Sequence, residues 1–123
     1  MHIIEVFGRI FLSMIFLFEG RNKIVNYKGT IEYMESFYVP EFLAIPTIIL
    51  EILFPLLLII GYQTKLSALV LAIFTLATAL IFHTNFTNPM ELISFLKNFA
   101  IAGGFLILFI NGAGKYSLDH KLS

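Results

Sequence analysis

Residues 42–62 read FLAIPTIILEILFPLLLIIGY, and the reading of this stretch decides the fold. It is nearly continuous apolar sequence, about as long as the roughly 20 residues an α-helix needs to cross a bilayer. One carboxylate, Glu51, sits in its middle, and Pro55 follows four residues later. A charge at mid-bilayer depth costs roughly 2.5–3.5 kcal/mol on insertion scales, so it faces a protein interior, pairs with a partner or takes up a proton. A proline inside a helix removes the hydrogen bond to the carbonyl at i−4, here that of Glu51. Carboxylate and freed backbone acceptor thus fall at one depth, and the rest of the chain has to provide for that spot.

Composition agrees with a membrane setting. Of 123 residues, 59% are hydrophobic and 13% charged, against roughly 25% charged in soluble proteins. The length predicts one domain, residues 1–123. Formal net charge is zero, which gives no footprint for nucleic acid. The absence of cysteine excludes disulfides, thiolate nucleophiles, Cys-ligated clusters and a CxxC relay. Tryptophan is absent too, so the interfacial belt falls to Tyr27, Tyr33, Tyr38, Tyr62 and Tyr116, each near the end of an apolar run.

Four apolar runs predict helices at about 3–24, 42–61, 66–82 and 90–110, an all-α, up-down four-helix integral membrane bundle. Glu5 and Arg9 interrupt the first run and no small-residue cleavage site follows, so it is expected to be a retained helix. Its acids and bases pair by spacing: Glu5 with Arg9 and Glu19 with Lys23, each i,i+4 with the acid first. In the connection that follows, GTIEYMESFY is expected to form a short interfacial helix capped by Thr30 and stopped by Pro40. Ile31, Met34, Phe37 and Tyr38 would share one face, opposite Glu32 and Glu35. The short turn at 62–65 makes the second and third runs antiparallel neighbours. In the third run, Ala68, Ala72, Thr75 and Ala79 form a small face that ends on His83. Ala100, Gly103 and Gly104 offer a second one in the fourth, and the chain leaves through NGAGKYSLDHKLS, read as a solvated tail.

Alternate crossing assigns depth. Glu19 and Lys23 end the first run, His83 ends the third on the same side, and Lys97 and Asn98 lie early in the fourth. Glu51 lies about ten residues, ~15 Å, in from that side. Glu19, Lys23, Glu51, His83, Lys97 and Asn98 therefore belong to one half of the membrane, which predicts a polar cavity opening toward one face. Positive charge is too evenly spread to orient the chain.

Glu51 and His83 are the candidates for proton exchange with a quinone or another lipid-soluble substrate. Glu51 has a structural alternative, pairing with Lys97 or Arg9 to hold helix register. His83 can equally be a satisfied interfacial histidine, and with no second ligand at suitable spacing it predicts no metal site. Glu19, Lys23, Lys97 and Asn98 are candidate pocket residues, Lys97 and Asn98 for an anionic or carbonyl group. Their structural alternative is interhelical hydrogen bonding.

Several stretches, in order, resemble the DoxX family of small four-helix membrane proteins: GRIFLSMIFLFEGRNKI, TIEYMESFYVP, ILEILFPLLLIIGYQTK, IFH at 81–83, FLKNFAIAGG at 95–104 and GAGKYSLD. Order and spacing carry the likeness, over almost the whole chain. The resemblance implies a prokaryotic inner-membrane bundle with both termini cytoplasmic, which would turn the polar cavity outward. The family is named for a subunit associated with thiosulfate:quinone oxidoreductase, and other members are implicated in membrane redox complexes. Lys65 stands where relatives often have Arg. The fold is also similar to four-helix thiol-redox membrane proteins, whose chemistry a cysteine-free chain cannot run. The resemblance implies a quinone- or redox-associated subunit in the lipid bilayer, with quinone as bound substrate and no cofactor required by the sequence. The alternatives are a non-catalytic assembly partner, as a homo-oligomer or beside a redox subunit, and a small transporter. Whether the chain is catalytic stays open at this point.

Overall fold

The computed structural model describes residues 2–114 and 117–122; Lys115 and Tyr116, the latter expected in the aromatic belt, lie outside them. Among the described residues the regular elements are helical: α1 His2–Val25, α2 Tyr27–Ser36, α3 Ala44–Ile60, α4 Thr64–Phe82, α5 Pro89–Asn111 and α6 Leu118–Leu122, with a 3-10 turn at Glu41–Leu43 before α3. Three helical stretches among the described residues are long and apolar enough to cross a membrane: Glu41–Ile60, Thr64–Phe82 and Pro89–Asn111. At 24 residues α1 has the length as well, but Glu5, Arg9, Glu19, Arg21 and Lys23 set it apart from those three.

Helix α1 packs on α3, α4 on α5, and α3 on α4 across a tight turn. Phe16, Leu58, Ala68, Leu71, Ala72 and Phe105 form the buried core. In it the Phe16 ring lies 5.5 Å from that of Phe105, and such pairs add about 0.5–1.5 kcal/mol beyond area burial. Small residues set the approach. Ala68, Ala72, Thr75 and Ala79 are buried along α4 as their spacing predicts. In α1, a Cβ on Gly20 would stand 2.6 Å from Ile52 Cδ1, so glycine there lets α1 close on α3. The small face of α5 differs from expectation. Ala102 is buried and Ala100 exposed, because the stripe that meets the core runs through Ala102 and Phe105, three residues apart on one face.

The α1–α2 junction also differs. Helix α2 starts at Tyr27 with Asn26 at its N-cap position, and Thr30 sits inside it, its hydroxyl donating to the Asn26 carbonyl at 3.0 Å. The expected cap is therefore an interior residue. Tyr38 has a positive φ of 63° and is 96% exposed, off the Met34 face. The helix has ended by then, and Pro40 instead precedes the 3-10 turn. Pro55 lies buried inside α3 without ending it.

The tail is docked, which corrects its reading as solvated. Gly61 closes α3 in the left-handed region at φ 74°, with the Tyr62 N–H donating to the Leu57 carbonyl at 2.9 Å, the bond of a Schellman ending. The Asp119 carboxylate accepts the N–H groups of Gln63 and Thr64, both at 2.8 Å, and so caps the start of α4. The Asp119 N–H donates to the Gly61 carbonyl at 2.8 Å. Ser117 is buried, and its hydroxyl donates to the Gly114 carbonyl at 2.8 Å. A polar tail docks because the α3–α4 turn exposes unpaired backbone N–H groups at the start of a helix.

Candidate functional site

At the other end of the helices from this clamp lies a cavity of about 860 Å³. Helix α1 contributes Phe16, Glu19, Asn22 and Lys23; α2 closes over it with Thr30, Tyr33 and Met34; α3 adds Pro46, Thr47, Leu50 and Glu51. Helix α4 supplies Phe74, Thr75, Thr78 and Phe82, with His83 at its end, and α5 supplies Asn98 and Ile101. The wall is largely apolar, with a few polar groups spaced around it, as in sites for small amphipathic molecules.

Glu51 is 1% exposed. Its Oε1 accepts a short hydrogen bond from Lys23 Nζ, and Lys23 also lies 3.7 Å from Glu19 Oε2, one helical turn back. The structural alternative for Glu51 thus named the wrong cations. The partner is Lys23, because the close approach at Gly20 carries the last turn of α1 over the middle of α3. Arg9 lies far down the same face, its guanidinium donating to the carbonyls of Leu58 at 3.0 Å and Ile59 at 3.2 Å. Lys97 is exposed on α5 and does not line the cavity. Among the described residues no donor reaches Glu51 Oε2, which leaves one carboxylate oxygen for whatever the cavity holds.

Of the six candidate residues, five line one cavity: Glu19, Lys23, Glu51, His83 and Asn98. His83 Nδ1 is 3.1 Å from Glu91 Oε2, joining the end of α4 to the start of α5. No group of three or more metal-ligating side chains occurs among the described residues. The Asn98 amide donates to Thr78 Oγ1 at 3.4 Å, a long bond that leaves its carbonyl oxygen available. Sequence reasoning missed Glu91, Tyr33 and the threonines. Glu91 opens α5 eight residues after His83, across a loop whose fold alone brings the two together. Tyr33 stacks on Phe82 at 5.3 Å between centroids, closing the cavity beneath α2. Burial, together with the Glu91 and Glu19 carboxylates, pushes the Tyr33 phenol above its ordinary pKa, so it stays a neutral donor at physiological pH.

The sequence profile of DoxX matches residues 4–84. The chain belongs to the DoxX family. Among curated proteins, this DoxX chain is 43% identical over 116 residues to the inner membrane protein YqjF of Escherichia coli K12, covering 94% of this chain and 89% of that one. It is 33% identical over 126 residues to the inner membrane protein YphA of the same organism, covering 97% and 90%. No solved structure matches it significantly.

Proposed function

We propose that this DoxX protein is an integral inner-membrane protein that binds a small amphipathic molecule, of the quinone class, as a subunit associated with membrane redox activity. The two relatives named as inner membrane proteins support the location. In this reading α1, α3, α4 and α5 cross the bilayer alternately, α2 lies at one interface, and both termini are cytoplasmic. The cavity then lies in the outward half of the membrane. Glu51 and His83 exchange protons, while Lys23, Glu19 and Asn98 orient a carbonyl or hydroxyl head group.

The observation that carries this reading is Glu51 itself. A carboxylate 1% exposed, held on one oxygen by Lys23, faces a mostly apolar cavity of about 860 Å³. A pair kept only for stability is replaceable by apolar residues at little cost, and it needs no cavity beside it.

Mass spectrometry of small molecules extracted with the detergent-purified protein tests the proposal. A quinone or other defined compound is expected with the wild type and is depleted in Glu51→Gln. Bulk lipid alone in both would sink it. A second reading, a non-catalytic assembly partner, is favoured by Lys97. A cation exposed on α5 among Ile93, Leu96 and Phe99 suits an acidic group on a neighbouring subunit or second copy. Cross-linking from position 97 in native membranes, with no extracted ligand, would favour it.

A further inference from the structure

Three groups in this site form a line. Side-chain exposure falls from 55% at Glu19 through 24% at Lys23 to 2% at Glu51. The Lys23 ammonium reaches both carboxylates, and Gly20 sets the distance between the helices that carry them. Two carboxylates around one ammonium leave the group one negative charge in excess. A single added proton neutralises it, and that proton has three groups to reside on, with Lys23 hydrogen-bonded to Glu51 and, by a swing of its ammonium, within reach of Glu19 at 3.7 Å.

We propose that Glu19, Lys23 and Glu51 are a proton path between water at the end of α1 and the cavity, and that the cavity's ligand presents an O–H or N–H to the unpaired oxygen of Glu51. The second half rests on the small-molecule reading of the cavity; the first does not. Inward transfer runs as follows. A proton from water binds Glu19. Lys23 gives one of its N–H protons to Glu51 Oε1, forming the carboxylic acid, and the resulting amine takes the proton from Glu19. Lys23 ends as it began, and one positive charge has moved inward. In outward transfer the ligand's O–H protonates Glu51 Oε2, the carboxyl group turns so that this proton faces Lys23, and the remaining steps are the inward ones in reverse.

The other titratable groups around the cavity are accounted for. Tyr33 of α2 is a neutral phenol, and His83 of α4 is tied to Glu91 of α5 at 3.1 Å. Of these groups, Lys23 makes the direct contact with Glu51.

Infrared difference spectra of the reconstituted protein, recorded over a wide range of pH, read the path without any ligand. The expected result is a protonated-carboxyl band absent from Glu51→Gln. Its hydrogen–deuterium exchange slows at least about tenfold, a barrier change of ~1.4 kcal/mol, in Glu19→Gln. Glu19 is exposed, so that variant keeps the fold, whereas Lys23→Gln strands the buried Glu51 carboxylate. No Glu51 band at any pH, or exchange equally fast in Glu19→Gln, overturns the path.

The ligand half is tested by adding a short-chain benzohydroquinone or its dimethyl ether. Only the hydroquinone is expected to shift the Glu51 band; an equal shift by the ether overturns the donor assignment. A working path with no extracted quinone would overturn the proposed function and leave the path standing.

Discussion

At the scale of single residues, the two most deeply buried charges among the described residues play opposite parts. Arg9 is 1% exposed and spends its guanidinium on the last carbonyls of α3. Hydrogen bonds from charged donors are worth about 1.5–3 kcal/mol each; both come from Nη1, and the ammonium of a lysine, on a side chain of different shape, does not fall at that nitrogen. Arg9→Lys is therefore expected to lower the thermal midpoint in detergent without changing ligand extraction. A lowered ligand yield at unchanged midpoint would contradict this. At the cavity the two halves of the ion pair are unequal. Removing Lys23 strands a fully buried carboxylate, a loss of about 3–5 kcal/mol for such pairs. Removing the Glu51 charge leaves Lys23 with Glu19 at 3.7 Å. Lys23→Met should accordingly melt well below Glu51→Gln, and the double variant should recover most of the difference. Equal melting of the two single variants would show that the pair is not read correctly.

Elements are held by what happens at their ends. The α3–α4 turn depends on Gly61, where a Cβ would run into Ser117 and stand 2.5 Å from Arg9 Nη1. It depends equally on Asp119. Burial alone would raise that carboxyl; Thr64, the Gln63 N–H and the Arg9 charge outweigh it and hold Asp119 below the ordinary aspartate value. A depressed carboxyl contributes stability that is complete above the unfolded pKa, about 3.9, and disappears as pH falls through the lower folded value. The midpoint gap between wild type and Asp119→Asn should hence be constant near neutrality and narrow as pH drops below about 4. A gap unchanged down to full acid unfolding would argue that the cap carries no net free energy. Along α1 and α3 the critical point is Gly20. Gly20→Val pushes against Ile52 and Glu51, and overpacking costs typically 1–3 kcal/mol. Loss of the Glu51 infrared response should accompany the lost stability.

For the whole molecule, two polar clusters occupy opposite ends of an otherwise apolar body: the cavity under α2, and the clamp of Arg9, Gly61 and Asp119. The outward surface of the long helices is apolar, with Phe11, Ile45, Ile73 and Ile107 all more than half exposed, as lipid contact requires. The proposed topology can be checked cleanly because the chain has no cysteine. Lys28→Cys is expected to react with an impermeant maleimide from outside intact cells, and Lys121→Cys only after the inner membrane is opened. Labelling of both from one side would exclude alternate crossing.

What the sequence determined by itself was what local pattern can carry. Apolar runs of crossing length and the alanine stripe of α4 follow from hydropathy and spacing along one helix, and the order of landmarks along the chain carried the family resemblance. Depth counting grouped Glu19, Lys23, Glu51, His83, Lys97 and Asn98, since rise per residue is a local quantity; all but Lys97 line the cavity. Partners were a different matter. Lys23 rather than Lys97 meets Glu51, Glu91 meets His83, and Asp119 returns to cap α4. Each joins residues that belong to different elements, so it depends on the rotation and distance of one helix against another. Those are set by packing at Gly20, Ala102 and Phe105, and no stretch of chain read alone contains them.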